Sequence, residues 1–177
     1  GEVMAGQTEA CINRMGGWDN FLRFIGGQGK VVFDTVLTFF STVKVAAQPA
    51  VTTSEEYFKE AGVVWMGNNF NGQFLGLEVP ATAEAELAVR KLEEASLDAP
   101  ILAELGDKAE ISVSQFRAFL AANRESQEGF VFYLKGRDGK LWAVRAYWGV
   151  DDGWFVNAFS VTHPDRWSRG FRVVSQV

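Results

Sequence analysis

Residues 130–162 read FVFYLKGRDGKLWAVRAYWGVDDGWFVNAFSVT, and this stretch decides the fold. Two Asp-Gly pairs, Asp138-Gly139 and Asp152-Gly153, separate three apolar runs: Phe130–Arg137, Lys140–Gly149 and Trp154–Thr162. Such a pair between alternating apolar runs is a strong hairpin signal, because a type I′ turn needs positive φ at both central residues. With two-residue loops, Arg137 faces Lys140 and Asp151 faces Trp154. That register puts Tyr133, Val144 and Val161 on one face and Phe132, Arg145 and Ser160 on the other, and a one-residue slip would exchange them. Both faces are apolar, whereas a sheet with one wet face alternates. Each face therefore needs cover. Helices from upstream can cover one, leaving the other for a second layer, a partner chain or a ligand. Arg145 is expected to stack on Phe132 with its head at the sheet edge, in preference to touching a ligand.

After Thr162 comes HPDRWSRG, residues 163–170. Pro164 suits the first position of a short helical turn capped by Thr162 or His163 and ended by Gly170. Phe171–Gln176 then reads as a last strand.

Upstream, Thr8–Met15 and Trp18–Ile25 read as short helices, with Gly26-Gly27 closing the second. Lys30–Val45 is rich in Val, Thr and Phe and reads as strand, broken near Asp34-Thr35. Ser54 caps a helix through Ala61. Gly62–Val79 reads as a hairpin about Asn71-Gly72, with Met66 facing Leu77. Thr82 caps a helix through about Ser96, and Asp98–Leu105 forms another ended by Gly106. Ser112 and Gln115 make a capping box before a helix whose buried stripe is Phe116, Phe119 and Leu120. The expected fold is a single α+β domain over 1–177. Residues 1–80 supply a helix, strands and a hairpin, 81–129 a helical segment, and 130–177 an antiparallel meander of about four strands.

The 177 residues are 47% hydrophobic and 14% aromatic, ample for one core. No apolar run approaches the roughly 20 residues that span a bilayer, so no membrane contact is expected. No secretory signal is visible; Gly1 reads as a remnant, with Met4 the expected native start. One cysteine, Cys11, forbids an intrachain disulfide and fits a cytoplasmic protein. Charge is uneven. Residues 1–129 carry ten Lys/Arg against eighteen Asp/Glu, a net of −8, and residues 130–177 carry seven against four, a net of +3. A basic end on an acidic body hints at an anionic partner for the sheet.

Three stretches carry a resemblance: Phe21-Leu22-Arg23-Phe24-Ile25-Gly26-Gly27, the helix from Gln115-Phe116 to Phe119-Leu120, and the ending Arg172-Val173-Val174-Ser175-Gln176-Val177. In this layout the chain resembles a loose group of uncharacterised bacterial proteins, mainly from candidate-phylum genomes. The resemblance implies an α+β bacterial protein and no particular activity.

Chemistry in the sequence is sparse. One Cys and one His cannot make a zinc centre, and no cofactor is expected. Asp151-Asp152 offers carboxylates to a hard cation, but turn chemistry explains both. His163 is the base of any nucleophilic pair, with Cys11 or a hydroxyl, yet it precedes Pro164 in a turn and Cys11 has no flanking signature. Gly26-Gly27-Gln28-Gly29-Lys30 lacks the strand before and helix after that a phosphate loop needs. What remains is an aromatic and basic C-terminal surface. Trp148, Trp154, His163, Arg166, Trp167 and Arg169 are its expected contact residues. The leading expectation is a non-enzymatic binding module that contacts a protein partner or a second copy of itself. Single-stranded nucleic acid is the alternative, since bases stack on rings while cations track phosphates. A small hydrolase-like enzyme using His163 is the third.

Overall fold

The computed structural model describes residues 35–177. The two expected helices at Thr8–Met15 and Trp18–Ile25 lie outside them, as does Cys11. The β-branched and aromatic run at Leu37–Val45 forms strand β1, as its composition favours. Then follow β2 (Val51–Thr52), α1 (Glu55–Lys59), β3 (Val63–Met66), α2 (Asn68–Phe74), β4 (Glu78–Val79) and β5 (Ala85–Leu92). Helices α3 (Asp98–Leu105) and α4 (Val113–Ala122) precede β6 (Phe130–Lys135), β7 (Leu141–Gly149), β8 (Gly153–Ser160) and β9 (Arg172–Gln176).

Among the described residues, seven strands form one sheet in the order β1-β5-β9-β6-β7-β8-β3, and β2 and β4 pair separately. The fold is α+β, and the large sheet is mixed. Strands β6, β7 and β8 pair antiparallel in succession, but β9 crosses back to lie parallel to β6, and β3 lies parallel to β8. A four-strand antiparallel meander is therefore not what forms.

Local signals were kept where they were strong. Ser54 caps α1 through the Tyr57 N–H, and Ser112 and Gln115 bond reciprocally at the start of α4. Gly106, at φ 60°, ends α3. Two expected elements did not form. The hairpin across Gly62–Val79 is replaced by β3 and α2: Asn71-Gly72 lies inside the helix, which buries Phe70 and Phe74 one turn apart. The helix expected from Thr82 is strand β5, held between β1 and β9 by ladders on both sides. The expected helical turn after Thr162 is a series of bends and turns.

Both hairpin loops hold three residues, which moves the register. Gly136 N–H donates to the Lys140 carbonyl and Gly139 N–H to the Gly136 carbonyl, each at 2.9 Å, with Gly139 at φ 78°. Asp152 takes the same left-handed role at φ 54°, so Gly149 faces Gly153. A type I turn followed by one left-handed residue is the three-residue alternative to type I′. Phe132 thus faces Val144 and Ala158, while Tyr133 faces Ala143 and Phe159. Arg145 shares the face of Val131 and Asn157, not that of Phe132.

The inner face carries Phe130, Phe132, Val144 and Trp154 and is closed by Phe58, Phe70, Phe74, Phe116 and Phe119 from the helices. Phe116 meets Phe132 edge-on at 4.8 Å, and Phe119 meets Phe130 at 5.1 Å. Each ring fully removed from water contributes about 1.5–3 kcal/mol. On the outer face Val131, Tyr133, Ala143 and Val173 are also fully buried. Their cover includes α3, with Ile101 and Leu105 buried, and the 161–171 segment, which Trp167 ties down by a backbone bridge to Ser96. That cover stops short of the β7-β8-β3 end. No helix among the described residues is long and apolar enough to cross a membrane.

Candidate binding surface

The open end of the outer face is aromatic because three strands place a ring at adjacent register positions. Trp65 of β3 pairs with Phe155 of β8, which pairs with Tyr147 of β7. The rings stack in a row, Trp65 on Phe155 at 6.0 Å and 26°, and Phe155 on Tyr147 at 5.4 Å and 19°. Trp65 is 45% exposed, Tyr147 39% and the neighbouring Val64 49%. At 5.4 Å two rings cannot lie flat side by side on the sheet, because their edge carbons would come closer than the contact distance of about 3.5–4.0 Å. They turn their faces to one another and their edges to solvent.

Arg145 ends the row. Its guanidinium lies 5.3 Å from the Tyr147 ring on one side and 5.3 Å from Phe159 on the other. It makes no hydrogen bond or ion pair with any described residue, and its Nε is buried without a partner.

Beyond Arg145 the 161–171 segment folds back and leaves a cleft of about 240 Å³. Asp98, the first residue of α3, is part of its lining and is 1% exposed. Oδ1 of Asp98 accepts from the Tyr133 hydroxyl and from the Trp167 indole N–H, both at 2.7 Å. Burial pushes the Asp98 carboxyl up from its ordinary value, against the opposing pull of those two bonds and of nearby His163. Burial first, and the Asp98 charge second, hold the Tyr133 phenol far above its usual range, so it stays a donor.

The expected contact residues divide. His163, Arg166 and Trp167 line the cleft. His163 packs edge-on against Phe159, and its Nδ1 accepts from the Asp165 N–H at 3.2 Å, with the Asp165 carboxylate at 3.8 Å. No hydroxyl among the described residues bonds to the His163 ring. Arg169 is exposed and lies outside the cleft lining. Trp154 and Trp148 face inward. Trp154 is fully buried and donates its indole N–H to the Leu120 carbonyl at 2.9 Å, and Trp148 packs edge-on against it at 5.4 Å. Neither is part of the open surface, because both belong to the face closed by the helices. Among the described residues no three His, Cys, Asp or Glu side chains gather as a metal site.

Sequence reasoning missed Trp65, Phe155 and Asp98. The signal for the first two was the register: three-residue loops align Tyr147 with Phe155 at once. Asp98 read only as the first residue of a short helix, and nothing near it in sequence shows that Tyr133 and Trp167 converge on it. The chain matches no family model, no curated protein and no solved structure.

Proposed function

We propose that this protein is a non-enzymatic binding module whose contact surface is the open β7-β8-β3 end of its sheet, and that the occupant is a second copy of the chain. The observation that carries this is the stacked row of Trp65, Phe155 and Tyr147, in which Trp65 and Tyr147 stay exposed. Among the described residues strand β3 ends the sheet and pairs only with β8, and no described strand lies on its other edge. A twofold axis beside β3 would pair two such edges antiparallel and continue each aromatic row into the other, the isologous contact that closed dimers use. The turn of the rings supports a protein contact over single-stranded nucleic acid. Base stacking needs free ring faces, and here Phe155 lies between Trp65 and Tyr147, and Tyr147 between Phe155 and Arg145, which leaves one face of Trp65 for a single contact.

Sedimentation equilibrium tests the reading. Wild-type protein is expected to show a concentration-dependent dimer, and Trp65→Lys a monomer that keeps the wild-type far-ultraviolet circular dichroism. A wild-type chain that stays monomeric at high concentration overturns it.

A further inference from the structure

The cleft beyond Arg145, at the end of the aromatic row away from β3, is a second feature. Arg145 is half-buried in the sheet, between two aromatic rings, with no counter-ion among the described residues. Withdrawing a guanidinium from water is costly unless an anion or hydrogen-bond acceptor meets it. Alternation along β7 would be satisfied by an apolar residue there, as it is by Ala143. Arg166 also lines the cleft and has no partner among the described residues. The acids that face these cations are weak counter-ions. Asp98 gives Oδ1 to two donors, and Asp165 sits beside His163 on the exposed rim.

The lining divides into three kinds. Arg145 and Arg166 are its cations, the rings of Phe159, Trp167 and Phe171 supply an apolar body, and Asp98 brings a buried carboxyl. Only Oδ1 of that carboxyl is engaged by described residues. A volume of about 240 Å³ falls below the range that holds drug-sized molecules. We propose that the cleft binds a small organic carboxylate that carries a hydroxyl. The carboxylate pairs with Arg145 and Arg166, the body packs on the rings, and the hydroxyl meets the free oxygen of Asp98. Guanidinium is the side chain suited to this, since its planar fork donates to both oxygens of a carboxylate.

The Trp167 indole N–H bonds to Asp98 in the cleft, so its ¹H–¹⁵N signal reads occupancy at the site. 4-Hydroxybenzoate is the probe, and 4-hydroxybenzamide, its neutral analogue of the same shape, is the control. The acid should shift the Trp167 indole signal saturably, and the amide should bind at least tenfold more weakly. Arg145→Gln should weaken binding of the acid tenfold or more. Arg166→Gln, at an exposed position where folding is not at stake, should weaken it several-fold, and Arg169→Gln, outside the cleft, should leave it unchanged. Absence of a saturable shift at millimolar acid overturns the proposal. So does equal binding of the amide, or an effect of Arg169→Gln equal to that of the two cleft arginines, which would mark general charge attraction. None of these readouts depends on dimer formation, so either proposal can fail alone.

Discussion

Trp167 donates its indole N–H to Oδ1 of Asp98 at 2.7 Å, joining the 161–171 segment to the start of α3. The same oxygen takes the Tyr133 hydroxyl from the middle of the sheet. One buried carboxylate therefore positions strand, helix and loop on the outer face. Trp167→Phe keeps most of the ring contact with Phe159 and Phe171 but removes the donor. The expected cost is about 1–3 kcal/mol, the range for a buried hydrogen bond to a carboxyl group. Urea denaturation measures it, and a loss near zero would show that Asp98 does not need the indole.

Asp98 also sets a pH dependence. Its folded pKa is raised above the unfolded value, so the folded state holds this proton more tightly. The resulting stability is fully present below the unfolded value, about 4, and is lost as pH rises through the folded pKa. Asp98→Asn removes that contribution. Stability of wild type minus that of Asp98→Asn should therefore fall as pH rises from about 4, then level off. A difference that stays flat or climbs would mean that burial does not dominate at this carboxyl.

The capping box of α4 gives a purely local test. Ser112 accepts from the Gln115 N–H, and Gln115 Oε1 accepts from the Ser112 N–H, both at 3.0 Å. Ser112→Ala should cost about 1 kcal/mol in thermal or urea unfolding. It should leave self-association and cleft binding unchanged, because α4 closes the inner face.

Gly149 tests the aromatic row without replacing any of its rings. A Cβ there would stand 2.3 Å from the Phe155 ring, which is held between Trp65 and Tyr147. Gly149→Ala must push Phe155 out of the stack, at a cost of about 1–3 kcal/mol typical of overpacking. Its dimer should dissociate at higher concentration than wild type. Unchanged sedimentation would separate the row from the contact.

What could be read from the sequence was what is decided within a few residues. Ser112 and Gln115, Ser54, and Gly106 carry their structural instruction locally, and each was found where it reads. Ala85–Leu92 was not legible: its Ala, Glu, Leu, Arg and Lys favour helix, and the ladders to β1 and β9 override that preference. Asn71-Gly72 looked like a turn because the burial of Phe70 and Phe74 against distant strands is invisible in a linear reading. The candidate surface followed the same rule. His163, Arg166 and Trp167 were found because one short segment holds them. Trp65, Phe155 and Asp98 were missed because a parallel strand pair, a loop of three residues and a buried carboxylate reach across the whole described chain.

Amide hydrogen exchange at two protein concentrations tests the contact surface most directly, because it reads β3 residue by residue. At high concentration the amides of Val64 and Met66 should be slowed at least tenfold relative to a dilute sample, while those of β1, at the opposite edge of the sheet, exchange equally in both. Identical exchange of β3 at the two concentrations, or slowing confined to β1, would contradict a dimer built on the Trp65 edge.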